Sequence, residues 1–368
     1  MIIKNVTTKK ELEDFIQFPY RLYAPYPMWV PPLLVQQKRL LSRNANPFYR
    51  HAEVEHFLAY KSNKVSGRIS AIIDHNHNKF HAENTGFFGF FECIDCRDTA
   101  HELLRTAESY LKERNIDTVR GPVNLSTNNE CGLLIDGFEL PPVVMMTYNP
   151  HYYMDFFENG PYKKAMDIYA YIMSREDVDD RIEKLIDYVS IPQGYTFRTI
   201  RKKHLRHEIS LIKDIYNSAW EKNWGFVPLQ DDEFDFLADD LKHIIDEELV
   251  FIVEKGNETV GFSLALPDIN QILVKMKGRL LPLGFLKLMK GMKKIDTIRV
   301  ITMGVKKEHR KTGISAMFYL KTIENGLRKG YTRAECSWVL ENNRAMNRDL
   351  RLLGAHRYKT YRIYEKKI

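Results

Sequence analysis

Residues 300–315 hold side chains whose types and order suit the binding of a diphosphate. An apolar strand ends at Val305, a short basic loop carries Arg310 and Lys311, and a helix begins near Gly313. A helix start leaves its first N–H groups unpaired and carries about half a positive charge. A pyrophosphate satisfies both. Gly313 lets the backbone approach the phosphates without a side chain in the way, and Arg310 and Lys311 add cationic donors.

The sequence downstream extends the pattern. An apolar strand over 334–340 leads into Glu341, Asn342 and Asn343, and then into a helix closed by Leu353 and Gly354. The run Arg310, Lys311-Thr312, Gly313, Ile314, Ser315 resembles the coenzyme A loop of the GNAT superfamily of N-acetyltransferases. That family's pattern is Arg or Gln, two variable residues, Gly, one variable residue, then Gly or Ala. Ser315 departs from it at the last position, where Ser is small enough to fit.

The resemblance covers essentially the whole second half. It implies that the backbone of Met303, Gly304 and Val305 pairs with a pantetheine arm. It implies also that Asn342 or Asn343 lies near that arm; helix capping is the other reading of the Asn pair. The co-substrate it implies is acetyl-CoA or another acyl-CoA, with no metal.

The implied reaction is transfer of an acyl group from the thioester to an amine of a small molecule or peptide, by direct attack. The amine must lose a proton to a base or a water chain. The oxyanion needs a donor, for which a backbone N–H near the end of the 297–305 strand is suited. Many relatives place a Tyr acid on the last helix, and counting back from Gly354 puts Leu350 there. Another residue serves, the thiolate leaves unassisted, or the chain is a non-catalytic coenzyme A-binding or ligand-sensing protein. Glu341 is a carboxylate in reach by sequence, and equally a surface charge, so no catalytic residue is assigned.

For the acceptor, residues 216–228 form the densest aromatic segment of the second half. Asn223 and Trp224 offer an amide and an apolar wall there, unless the segment is a packed aromatic corner. In the first half the polar loop 121–130 follows a strand. Its Asn128, Asn129 and Glu130 read as a substrate contact or as turn chemistry.

The elements that must carry these residues occur twice. Phe57, Lys61, Asn63 and Gly67 recur as Phe251, Lys255, Asn257 and Gly261, in two segments that each read as strand, tight turn, strand. Lys164, Ile168 and Tyr169 recur as Lys359, Ile363 and Tyr364. In the second half the periodicities predict strands at 195–201, 297–305, 334–340 and 358–366 and a hairpin at 249–266. Helices are predicted at 205–220, 232–245, 313–329 and 344–353. In the first half 87–93, 99–114, 118–121 and 162–173 fill matching roles, and 175–190 reads as a connecting helix.

The fold class is therefore α/β, as two tandem GNAT-like domains, each a mixed, mostly antiparallel sheet flanked by helices. The boundaries expected are 1–190 and 195–368. The pattern as a whole is similar to a bacterial group of double-domain proteins. After the first half's strand come Asp95 and Asp98 and no glycine, which opposes a pyrophosphate; Asp98 reads as the N-cap of the helix that follows. The first copy is expected to be degenerate.

Composition bounds the rest. The chain has 368 residues, 44% of them hydrophobic and 28% charged, the balance of an ordinary globular protein. The net charge is +7, and residues 275–294 alone hold seven Lys and Arg with no acid. A general nucleic-acid binder would spread its charge more widely. The stretch 278–294 mixes leucines and methionines with lysines, and reads as a peripheral membrane contact, an acyl-chain lining or a helix packed on the domain. No run is long enough to span a bilayer, and with four Cys a reducing cytoplasm is expected. Cys93 and Cys96 lack a second pair for a zinc site, and His75, His77 and His81 read as an exposed loop.

Overall fold

The computed structural model describes residues 1–158, 160–188, 190–280 and 284–368. The chain forms two compact units. The first comprises residues 1–168, 273–280 and 359–368, and the second residues 169–272 and 281–358.

In chain order the first unit begins with β1 (Ile2–Asn5), α1 (Lys9–Leu22), α2 (Leu34–Leu40), β2 (Ala52–Lys61) and β3 (Lys64–Asp74). It continues with α3 (His75–His81), β4 (Thr85–Cys93), α4 (Arg97–Lys112), β5 (Thr118–Gly121), β6 (Leu133–Asp136) and α5 (Tyr153–Phe157). Strand β7 (Lys163–Ser174) starts in this unit and ends in the second. Strands β1 to β4 pair antiparallel in order, and β4 pairs β5 in parallel. The last stretch of the chain pairs antiparallel with both β5 and β6.

Local chemistry accounts for these elements. Thr8 and Glu11 form a reciprocal capping box at the start of α1. The β2–β3 turn is the two residues Ser62 and Asn63, with φ of 50° and 60°, the geometry of a tight hairpin that Asn tolerates. Alternating apolar residues of β2 to β4 then face α4, whose Leu103, Leu104, Ala107 and Leu111 are buried among Phe57, Ile69 and Phe88.

The second unit runs α6 (Asp180–Tyr188), β8 (Tyr195–Thr199), α7 (Leu205–Ala219), α8 (Asp231–Leu241), β9 (Val250–Lys255), β10 (Glu258–Pro267) and α9 (Asn270–Leu273). It ends with α10 (Gly284–Met292), β11 (Thr297–Val305), α11 (Ile314–Arg328), β12 (Arg333–Leu340), α12 (Arg344–Leu352) and the start of β13 (His356–Lys367). Strands β8 to β11 pair antiparallel in order, and β11 pairs β12 in parallel. Two apolar clusters hold α11 to this sheet. Leu320 packs with Ile298, Val300 and Val339, and Ile314 and Phe318 pack with Phe251, Val260 and Val305.

Three local expectations are corrected. The histidine stretch is the helix α3 and not an exposed loop, because the Asp74 side chain accepts from the N–H groups of Asn76 and His77 and starts the turn. His77 is buried, 4.8 Å from the Phe87 ring, and its Nε2 lies 3.2 Å from Glu83. Burial lowers its pKa. Asp98 is not the N-cap of α4: the helix starts at Arg97 with Cys96 in the cap position, which puts Asp98 in the first turn. The connecting helix is shorter than 175–190. Ser174 and Asp177 close a reciprocal cap on a single 3₁₀ turn, and α-helix resumes only at Asp180.

Candidate active site

The site is built where β11 and β12 part. Their parallel ladder runs from Thr297 opposite Arg333 to Val300 opposite Cys336, and ends there. Strand β11 continues to Val305 and β12 to Leu340, so over 301–305 the edge of β11 that faces β12 carries no ladder. A bulge sits at the same point. Leu264 faces Thr302 and Ala265 faces Val300, so Ile301 is the extra residue. A bulge bends its strand and re-aims the residues beyond it. Backbone groups on such an edge need partners, and an extended amide-bearing arm would supply them.

Beyond Val305 the chain makes a 3₁₀ turn over Lys307–His309 and enters α11. Lys311 and Gly313 both have left-handed φ, 66° and 92°. Turns that carry left-handed residues are the setting in which successive N–H groups form anion nests. No side chain caps α11. Lys311, Gly313, Ser315 and Ala316 are exposed, and a Cβ added to Gly313 would meet nothing within 4 Å. The helix start is therefore open to an anion and is not filled by its own side chains.

Arg310 has a task that its type alone did not reveal. Its Nε donates to the Val305 carbonyl at 3.1 Å and its Nη2 to the Ala219 carbonyl at 2.9 Å. It ties the loop to the end of α7. Thr312 Oγ1 donates to the His309 carbonyl at 2.7 Å and tightens the same turn.

The α7–α8 loop lies against β11. The Trp220 ring covers Gly304 so closely that a Cβ there would stand 2.4 Å from it, which only glycine permits. Trp220 also packs 5.6 Å from Phe262 and 5.0 Å from Tyr216. Asn217 clamps the far end of the loop, donating to the Leu229 carbonyl and accepting from its N–H, both at 3.1 Å. Asn223 and Trp224 are half-buried at the tip, where the Asn223 N–H donates to the Trp220 carbonyl. Met303, Gly304, Val305, the 310–315 turn and this loop thus come together within one unit.

The Asn pair divides. Asn343 is the N-cap of α12 and accepts from the Met346 N–H at 3.2 Å, while Asn342 is exposed. Leu350 is 2% exposed and packs with Val339, Tyr171 and Ala355. In the first unit, residues 128–130 are held by turn bonds. Ser126 accepts from the N–H groups of Asn128 and Asn129, and the Asn124 amide donates to Glu130 at 3.4 Å.

A buried polar cluster at the fork escaped sequence reasoning. Arg299 and Glu335 face each other in the β11–β12 register, one step before the ladder ends. Arg299 Nε donates to Ser337 Oγ at 3.1 Å, and Ser337 Oγ donates to Glu335 at 3.0 Å. Tyr358 donates to the other Glu335 oxygen at 3.4 Å. Glu335 is fully buried, and burial raises its pKa to about 7 against the pull of Arg299. The available signal was a charged residue amid the apolar run of each strand. Trp338, next along β12, has a buried Nε1–H with no hydrogen-bond partner among the described residues.

The equivalent fork in the first unit is closed. The parallel β4–β5 ladder ends at Phe87 opposite Arg120, but the Val123 N–H then donates to the Phe88 carbonyl at 2.8 Å. The Phe90 N–H donates to Asn124 Oδ1 at 2.7 Å. A Cβ on Gly89 would stand 2.0 Å from the Val123 carbonyl oxygen, so the chain itself fills the seam.

Among the described residues no group of three or more His, Cys, Asp or Glu side chains is placed to hold a metal ion, and no helix is long and apolar enough to cross a membrane. Cys93 and Cys96 are free thiols.

No family model matches the chain. It is 35% identical over 376 residues to Protein YghO of Escherichia coli (strain K12), covering 100% of this chain and 95% of that one. It is 36% identical over 369 residues to a bacterial ceramide synthase of Caulobacter vibrioides (strain NA1000 / CB15N), covering 98% and 96%. Its fold matches a tandem GNAT protein from the clavulanic acid biosynthesis pathway, with a TM-score of 0.59 at 12% identity over 100% and 98% of the two chains. A GCN5-related N-acetyltransferase from Sphaerobacter thermophilus matches with a TM-score of 0.52 at 12% identity over 100% and 95%. The two sequence relatives span essentially the whole chain, and the chain belongs to their family, with the fold of the tandem GNAT proteins.

Proposed function

We propose that this chain transfers an acyl group from acyl-CoA to the amine of a small molecule, with a long-chain amine as the acceptor class. The observation that carries the reading is the open start of α11 beside the forked β11 edge, one site for a diphosphate and an extended arm in sequence with it. The second unit, residues 169–272 and 281–358, is the acyl-CoA-binding domain. Lys311 to Ser315 take the pyrophosphate, Arg310 holds their loop in place, and Met303 to Val305 take the arm. The first copy is a degenerate one, since its own residues 122–124 occupy the seam where such an arm would lie. The acceptor class rests on the relative named a ceramide synthase, because a ceramide is an amide of a long-chain amino alcohol.

In the reaction the amine nitrogen attacks the thioester carbonyl, the C–N bond forms, and the C–S bond breaks to release coenzyme A. The oxyanion is held by a backbone N–H of the free β11 edge. The proton shed by the amine passes to Glu335 through the Ser337 hydroxyl. A carboxylate with a pKa near 7 can accept it and return it near neutral pH. Leu350, in the core, takes no part.

The test is thiol release from acetyl- and palmitoyl-CoA with a panel of short amines, peptides and long-chain amines. Turnover with long-chain amines is expected. Coenzyme A binding with no turnover across the panel would favour a ligand sensor. A Glu335→Gln variant should lose most of kcat with KM little changed, and lose the rise of rate through pH 7.

A further inference from the structure

Helix α10, inserted before β11, has a surface that packing on the protein does not explain. Its inward side is made of Gly284, Leu288 and Gly291. A Cβ on Gly291 would lie 2.8 Å from Ile272, so the backbone itself rests on α9. The outward side should then be polar. It instead holds Leu286 and Met289, 53% and 58% exposed and one turn apart. Lys287 and Lys290 stand beside them, Lys293 and Lys294 come just after the helix, all four are exposed, and no acid lies between 275 and 294. Leu281, Pro282 and Leu283 of this stretch lie outside the described residues.

We propose that α10 is a docking surface for an anionic lipid bilayer. Leu286 and Met289 enter the boundary between headgroups and acyl chains, and the lysines extend their stems alongside and leave their ammonium groups among the phosphates. Two apolar side chains amid cations fit a surface that is apolar below and negative above. A nucleic acid would use the lysines and leave Leu286 and Met289 without a partner.

The surface is separable from acyl transfer, so it is tested with no acyl-CoA or amine present. The full chain is sedimented with phosphatidylcholine vesicles, with and without about one-third phosphatidylglycerol. Binding is expected to the anionic vesicles and to fall with salt. The pair Leu286→Ser with Met289→Ser and the pair Lys287→Glu with Lys290→Glu should each weaken it about tenfold or more, with unchanged thermal melting. Equal binding to both vesicle types, or an apolar pair that binds like wild type, would overturn the proposal. So would retention on heparin lost in the charge pair together with no vesicle binding, which marks a polyanion site.

Discussion

Replacing Gly313 by Asp separates a pyrophosphate seat from an ordinary helix start. Gly313 has φ of 92°, a region that costs an L-residue about 1–2 kcal/mol. Nothing stands within 4 Å of an added Cβ, so no clash adds to this cost in the free protein. Stability should fall by that amount alone, a shift of only a few degrees in Tm for a chain of this size. Binding is affected much more. A carboxylate about 5 Å from one phosphate charge, at an effective dielectric of about 20, costs roughly 3 kcal/mol, or over a hundredfold in Kd. Gly313→Ala is the control, with the same strain and no charge, and should bind far better than the Asp variant. Calorimetric titration of coenzyme A into the three proteins reads the difference. A Kd for Gly313→Asp within about twofold of wild type would mean that no phosphate sits at this turn.

Three further outcomes rest on the same geometry. Burial lifts Glu335 from its ordinary 4.5 to about 7, so the stability linked to its protonated form is present below about 4.5 and lost as pH rises through 7. The Glu335→Gln variant should therefore gain about 3 kcal/mol on wild type between pH 4.5 and 8 in denaturant unfolding, and a pH-independent difference would contradict the shift. Asn343→Ala removes the α12 cap and should cost about 1 kcal/mol; it should leave coenzyme A affinity unchanged, as calorimetry would show. Gly304→Val forces the Trp220 ring off β11 and should cost about 1–3 kcal/mol, read as a lowered Tm and altered Trp fluorescence.

Much of the second half was legible because its signals are local. Strand β11 falls at 297–305 as expected, from a run rich in Ile, Val and Met followed by a basic loop. The helix that follows starts where expected, with Gly313 at its N-cap. The tight turns at Asn63 and Asn257 join β2 to β3 and β9 to β10. What stayed hidden depends on which strands meet and where they part. The fork after Val300 is a property of the β11–β12 register, and Arg299, Glu335 and Ser337 become a cluster only through it. Arg310 read as a phosphate ligand because its type suits one, while its bonds go to carbonyls at Val305 and Ala219, the second of them 91 residues away along the chain. The closed seam of the first unit was equally out of reach, because residues 122–124 carry no motif and act only by lying against β4.

Amide hydrogen exchange of the full chain, with and without coenzyme A, asks the protein directly which backbone groups the ligand covers. Slower exchange is expected for the amides of 311–316 and 301–305, with 85–93 and 118–124 unchanged. Protection confined to the first unit, or none at the start of α11 at saturating coenzyme A, would place the nucleotide elsewhere and remove the basis for acyl transfer at the β11–β12 fork.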